Sequence, residues 1–388
     1  MGQYVHPQSL LSCISPSSSQ DMFTNTRPLW HPPGARGIYG GAVIAHCLAA
    51  AQRTVPSNFT VHSMHCYFVL AGDSEIPVMY YVEHVREGRS FATRTVQARQ
   101  RGKCIFTTTM SFARENSGGS RTITHAIPMP DDIPPPPADD EIEEIGKATW
   151  GRPFVSHQVE ILNTQSENPH EKKTRQWIKA AGKISPEAGH ETHISALAYM
   201  SDSYFIGTIS RIHGLWRHWS PDRKNKGEAN GSPSREPTKK ERRAKVGMMV
   251  SLDHSIYFHQ PRKFRADEWM FAEMSSPWSG DGRGVVTQHM YARDGTLIAT
   301  CFQEVCLYAL GLRWRTNIRV GSCEAATRRT FTKAIESIMQ HDGGFVQHYK
   351  SQTNGIRPIE VRIVYRFLKL KESTVSYTDI PAILYRIY

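Results

Sequence analysis

The same pattern of residues occurs twice in this chain, and that repetition constrains the fold more than any single motif. From Gly88 the sequence reads GRSFATRTVQARQRGKCIFTTTM, and from Gly282 it reads GRGVVTQHMYARDGTLIATCFQ. Gly88, Arg89, Thr93, Ala98 and Arg99 fall on Gly282, Arg283, Thr287, Ala292 and Arg293 at one constant offset. After one deleted turn residue Gly102, Ile105 and Thr107 fall on Gly295, Ile298 and Thr300, and upstream Tyr67-Phe68 matches Tyr257-Phe258. Self-similarity over so long a period points to two copies of one small domain.

Each copy reads as a helix followed by antiparallel strands. Gly37 to Thr54 (GIYGGAVIAHCLAAAQRT) has small and apolar residues on all sides, as a helix buried all round requires. Alternating, β-branched and aromatic runs follow at Thr60 to Leu70, Pro77 to Val85, Ser90 to Arg99 and Cys104 to Phe112, separated by Ala71-Gly72-Asp73, Glu87-Gly88 and Arg101-Gly102. The second copy offers strands Pro153 to Leu162 and Thr174 to Lys183, helix Ile194 to Phe205, then strands Met248 to Phe258, Glu268 to Ser275, Gly284 to Arg293 and Leu297 to Leu307. A helix with so little polar face needs a sheet curled around it. That is an α+β hot-dog arrangement, and two copies predict a tandem double hot dog with two antiparallel sheets, each wrapping a central helix.

The expected division is a loose arm over 1–20, a first domain over 21–116, a Pro-rich acidic linker over 117–149 and a second domain over 150–311. A C-terminal extension over 312–388 matches neither copy. Laying His46 on Asp202 leaves an excess between helix and strand in the second copy. The polar, basic run 211–245 accounts for it as an inserted mobile loop.

The 388 residues carry a formal charge of +11. The basic excess sits in the inserted loop and the tail, outside the repeated cores, so it reads as solvated surface and no nucleic-acid partner is expected. A basic surface also suits a ligand with several phosphates. The seven cysteines show no C-x-x-C spacing, so neither a disulfide framework nor a zinc site is indicated. No apolar run is long enough to span a bilayer, and the first residues lack the regions of a secretory signal. The reading is an intracellular, reduced protein without stable membrane insertion. Met1-Gly2 opens like a myristoylation signal, but His6 stands where Ser or Thr is needed.

Five blocks in order, ARGIYGGAVIAHCLAAAQRTV, VHSMHCYFVLAGDSEIPVMYYVEHVREGRSFATRTVQARQRGKCIF, ALAYMSDSYF, VSLDHSIYFHQP and DGTLIATCFQEV, resemble the TesB-type (type II) acyl-CoA thioesterases from about Phe23 to Tyr308. The resemblance implies hydrolysis of an acyl-CoA thioester to free acid and coenzyme A without a covalent intermediate, with no metal or redox cofactor, in a homo-oligomer. It implies a water held by Asp202 in MSDSYF, Ser251 in VSLDHS and Gln303 in CFQEV. Two departures stand out: His46 replaces a common Gln in the first helix, and residues beyond Leu312 match nothing in the family. Peroxisomal relatives end in an S-K-L-like tripeptide whereas this sequence ends Arg386-Ile387-Tyr388, so the expected compartment is the peroxisomal matrix or the cytoplasm.

The chemistry suits these residue types. A thioester carbonyl is electrophilic and its thiolate leaves readily, so a positioned water suffices without a serine nucleophile. An Asp among Ala198, Tyr199, Met200 and Phe205 is costly to bury without purpose. Gln303 and Ser251 are each commonplace on strands, and family position singles them out. Asp253, His254 and Ser255 spell a hydrolase triad, but strand neighbours point to opposite faces, so His254 is read as a structural hydrogen-bonder. No G-x-S-x-G elbow occurs. His190 to His193 (HETH) falls short of a zinc motif and is read as a turn, and Gly280 to Gly284 (GDGRG) as a hairpin turn. Cys47 and Cys104 are read as inert packing residues. The rival readings are a hot-dog enoyl-CoA hydratase, which needs a D-x-N-P-x-H helix start that is missing, and a non-catalytic acyl-CoA binder. Thiol release from palmitoyl-CoA separates the three.

Overall fold

In the computed structural model the repeat appears as two matching halves of one antiparallel sheet. The structure describes residues 11–15, 20–32, 35, 37–115, 117, 123–138, 153–159, 161–215 and 245–310. The strands are β1 (Leu11–Ser15), β2 (Gln20–Asn25), β3 (Phe59–Phe68), β4 (Met79–Glu87), β5 (Phe91–Gln100), β6 (Lys103–Arg114), β7 (Phe154–Gln158), β8 (Lys173–Ala180), β9 (Lys245–Ser251), β10 (Asp253–Phe258), β11 (Met270–Gly280), β12 (Arg283–Tyr291) and β13 (Leu297–Leu310). Their order across the sheet is β1-β2-β4-β5-β6-β3-β10-β13-β12-β11-β8-β7, with β9 also on β13. Read outward from the central β3–β10 pair, the two sides carry the same sequence of elements. Six strands on each side follow the repeat, and β9 is an addition to the second side.

This order corrects the expectation of two separate sheets. β3 and β10 pair antiparallel, Tyr67 opposite Asp253 and Ser63 opposite Tyr257, so the halves fuse into one sheet of 13 strands. Fusion removes two free edges, each a row of unpaired backbone groups. Within the arm expected to be loose over 1–20, residues 11–15 form β1, which pairs with β2, and β2 lies on β4. The β1–β2 pair stands where β7 and β8 stand in the other half. Residues 1–10, most of the inserted loop (216–244) and the whole extension 312–388 lie outside the described residues.

Among the described residues three α-helices accompany the sheet: α1 (Gly40–Gln52), α2 (Gly189–Ser201) and the short α3 (Gly207–Ile212). Residues Gly41 to Ala51 of α1 are all buried, as its lack of a polar face requires. The start of α1 meets the end of α2 through Tyr39 Oη donating to the Tyr199 carbonyl at 3.1 Å. The end of α1 meets the first half of α2 through Gln52 Nε2 donating to the Glu191 carbonyl at 3.4 Å and to Ser195 Oγ at 3.0 Å, so the two helices run antiparallel. HETH, read as a turn, opens α2 instead. Laying His46 on Asp202 is also corrected: His46 lies mid-α1, bonded to Tyr80 Oη at 3.0 Å, while Asp202 lies past the end of α2.

Strand β5 shows why the sheet buries its inner face. Its residues alternate, with Ala92, Arg94, Val96 and Ala98 inward. Arg94 is fully buried because Thr54 accepts from Nε and Nη2 at 2.8 Å each and Glu87 pairs with Nη2. The acidic linker is not free over its described part. Trp177 Nε1 donates to the Pro134 carbonyl at 2.9 Å and Arg175 pairs with Asp132 at 3.1 Å, while Met129 and Ile133 pack on the cluster around Trp177, Trp269 and Phe271. Among the described residues no helix is long and apolar enough to cross a membrane.

Candidate active site

Asp202 sits at a junction of chain ends. Helix α2 stops at Ser201, one turn earlier than expected, and Asp202 is its C-cap. Tyr204, at φ 56, then turns the chain through the left-handed region into α3. The Asp202 carboxylate therefore leaves the helix end and points at the start of α1. Its Oδ2 accepts from the Gly41 N–H at 2.9 Å, one of the first-turn donors that a helix leaves without an intrahelical acceptor.

Glycine is required for that approach. A Cβ on Gly41 would lie 2.2 Å from the Tyr199 carbonyl oxygen, and one on Gly40 would lie 2.8 Å from both Asp202 Oδ2 and a Phe68 ring carbon. The Gly-Gly pair lets the opening turn of α1 press against the closing turn of α2.

Gln303, fully buried on β13, completes the carboxylate's surroundings. Its Nε2 donates to Asp202 Oδ1 at 2.8 Å and to His254 Nδ1 at 3.1 Å. His254 Nε2 in turn lies 3.0 Å from Ser201 Oγ, which donates to the Ala198 carbonyl at 2.9 Å. With Nδ1 accepting, the imidazole proton must sit on Nε2 and point at Ser201. Burial pushes the His254 pKa down to about 3, so the ring stays neutral and this direction persists. The chain fixes the Gln303 amide with nitrogen toward the carboxylate. Gln303 Oε1 has no partner among the described residues.

Burial pushes the Asp202 carboxyl up to about 6, against the pull of the Gln303 and Gly41 bonds. A carboxylate that titrates near neutrality suits proton transfer from water, because a base works best with its pKa close to the operating pH. Asp202 also lines a cavity of about 890 Å³, within the size range of small-molecule sites. The wall is largely apolar, with Trp30, Ile38, Val43, Phe68, Leu70, Phe106, Phe154 and Met248. Among the described lining residues Asp202 and Arg211 alone carry a formal charge at neutral pH.

The three sequence candidates thus fare differently. Asp202 and Gln303 are in direct contact. Ser251 lines the same cavity but makes no hydrogen bond to either among the described residues. It ends β9, where Leu252 interrupts the strand by donating to the Glu304 carbonyl and accepting from Phe68 N–H at 2.8 and 3.0 Å. The D-H-S letters disperse as the strand period requires: Asp253 accepts from the Glu304 N–H at 2.6 Å, and Ser255 meets His65 Nδ1 at 3.0 Å. His254 does more than fill space, because it holds Gln303. Sequence reading also missed Ser201, Gly41 and Arg211. The Gly-Gly pair was the available signal, whereas Arg211 was indistinguishable from its basic loop. Cys47 is buried, with its thiol pushed well above the ordinary range by burial, so packing is its role.

The large antiparallel sheet is that of the hot-dog thioesterases, the class to which the following similarities point. Residues 27–113 match the family model described as the acyl-CoA thioesterase N-terminal domain, and residues 130–307 match its C-terminal domain. Acyl-coenzyme A thioesterase 8 of Rattus norvegicus is 34% identical over 297 residues, covering 72% of this chain and 82% of that protein. The peroxisomal acyl-coenzyme A thioester hydrolase 1 of Saccharomyces cerevisiae is 25% identical over 329 residues, covering 70% and 86%. The crystal structure of an acyl-CoA thioesterase II, TesB2, from Mycobacterium marinum aligns with a TM-score of 0.56 at 26% identity, covering 79% of this chain and 98% of that one. The chain belongs to the TesB-type acyl-CoA thioesterase family.

Proposed function

We propose that this acyl-CoA thioester hydrolase converts fatty or related acyl-CoA to free acid and coenzyme A by direct attack of water, with Asp202 as general base. Asp202 takes a proton from the water as its oxygen bonds to the thioester carbonyl carbon. The resulting tetrahedral oxyanion expels the thiolate by breaking the carbon–sulfur bond, and the proton on Asp202 passes to sulfur. Gln303 orients the carboxylate from behind and offers Oε1 as an acceptor. Ser251 would meet the substrate from β9, the strand paired with β13, where it lines the same cavity. The positive end of α1, whose Gly41 N–H already holds Asp202, would favour the developing oxyanion through its dipole.

The observation that carries this reading is the buried contact of Asp202 with Gln303 and Gly41 at an apolar cavity, with the carboxyl pushed up to about 6. The test is thiol release from palmitoyl-CoA by the full chain and by Asp202→Asn. A wild-type protein that releases no thiol would end the proposal.

On architecture, the proposal is a tandem double hot dog, each half of the fused sheet curled over its own helix, α1 or α2. Its domains would span 21–116 and 150–311, with the β1–β2 hairpin joined to the first. A homo-oligomer fits a sheet whose outermost strands, β1 and β7, have no further strand beside them among the described residues, and sedimentation would test it. The peroxisomal matrix or the cytoplasm is the proposed compartment, the former supported by the name of the yeast relative.

A further inference from the structure

We propose that Arg211 binds an anionic oxygen group of the acyl-CoA substrate from the wall of the Asp202 cavity. The inference rests on the thioesterase reading and names a recognition element within it. Arg211 lies on α3, just beyond the turn that releases Asp202 from α2, and lines the same cavity. The guanidinium stacks on the Tyr204 ring at 4.5 Å from its centroid. The Gln158 amide oxygen, in the orientation that satisfies both groups, accepts from Nη1 and Nη2 at 2.5 and 2.6 Å. Both partners are neutral. Among the described residues no carboxylate pairs with it, whereas Arg94 and Arg265 each have one and Arg175 has two.

A partly buried cation without a counter-charge is costly to keep. Burial lowers the Arg211 pKa, the direction expected for a charge that lacks compensation. An arriving anion would remove that cost, and the planar fork of a guanidinium matches phosphate and carboxylate oxygens in bidentate geometry. An acyl-CoA can supply such oxygens from either end: the phosphates of the coenzyme, or a carboxylate closing the acyl chain. The cavity has no other described cation to receive either one.

The experiment compares wild type with Arg211→Gln on octanoyl-CoA, octanoyl-pantetheine, which lacks every phosphate, and the mono-CoA thioester of octanedioic acid. Loss of a hydrogen bond to a charged group predicts a KM increase of about tenfold to a hundredfold wherever the contact is made, with kcat changed far less. A penalty on both CoA thioesters that vanishes for octanoyl-pantetheine assigns the contact to phosphate. A penalty confined to the octanedioic thioester assigns it to the distal carboxylate. Equal effects on all three substrates, or none, overturn the proposal. Arg211→Lys, which keeps the charge without the fork, should show a smaller penalty on the same substrate and serves if the Gln variant does not fold; its indifference to substrate would equally overturn the idea. Failure of the wild type to hydrolyse octanoyl-CoA would instead sink the thioesterase reading.

Discussion

Replacing Asp202 with Asn separates catalysis from stability, because the two respond in opposite directions. A buried carboxyl pushed up to about 6 binds its proton more tightly in the folded chain than in the unfolded one, where the value is about 3.9. The contribution of this group to stability is therefore greatest below pH ~4 and is lost as pH rises through ~6, amounting to about 3 kcal/mol at neutral pH. Asn removes that cost. Against it, Asp202 accepts from two donors, Gly41 N–H and Gln303 Nε2, and the amide has only one oxygen. One donor is left facing an NH2 group, at about 1–3 kcal/mol. The opposing effects leave the variant between equal stability and about 2 kcal/mol more stable at pH 7. Turnover should fall by roughly 10²–10⁴, the usual contribution of a general base. The assay is thiol release from palmitoyl-CoA across pH 5–8 beside denaturant unfolding at pH 7. Wild-type kcat/KM should rise with pH through a midpoint near 6, as Asp202 ionises, and Asp202→Asn should lose that limb. Unchanged turnover, or a limb near pH 6 that survives in the variant, would refute the assignment.

Gln303→Ala should lower kcat by about tenfold to a hundredfold, through loss of its bond to a charged carboxylate. A larger loss than in Asp202→Asn would assign Gln303 to the oxyanion instead. His254→Leu should lower kcat while leaving KM near wild type, since the imidazole touches Gln303 and Ser201 rather than the cavity; a change in KM alone in steady-state kinetics would deny it that positioning role. Gly41→Ala should destabilise the fold by about 3 kcal/mol or more, because nothing relieves a Cβ against the Tyr199 carbonyl without parting the helices. Thermal unfolding would read it as a marked drop in Tm, and an unaltered Tm would mean that the helix ends do not need this contact.

Much of the fold was legible before any coordinates. The repeated strands could be read because their side chains alternate, and β5 and β12 begin and end within two residues of expectation. Helix α1 declared itself through apolar residues on every side. The β1–β2 hairpin stayed hidden in a stretch rich in Ser, Pro and Gln, since its pairing with β4 is a long-range event with little local signal. The sequence carries α2 on to Phe205 because Tyr204 and Phe205 extend its apolar pattern, whereas in the structure the helix ends at Ser201 and Tyr204 turns left-handed.

The candidate site divides along the same line. The family resemblance carried by the ordered motifs nominated Asp202, Ser251 and Gln303, and strand geometry, a local property that side-chain order carries, was enough to reject the Asp253-His254-Ser255 triad. Bringing Gly41 to Asp202, turning the Gln303 amide through His254 and leaving Arg211 without a carboxylate among the described residues were decided only by the packed chain. Those contacts join residues far apart in sequence. Their strength comes from water being excluded between them, a condition that no local pattern of residues encodes.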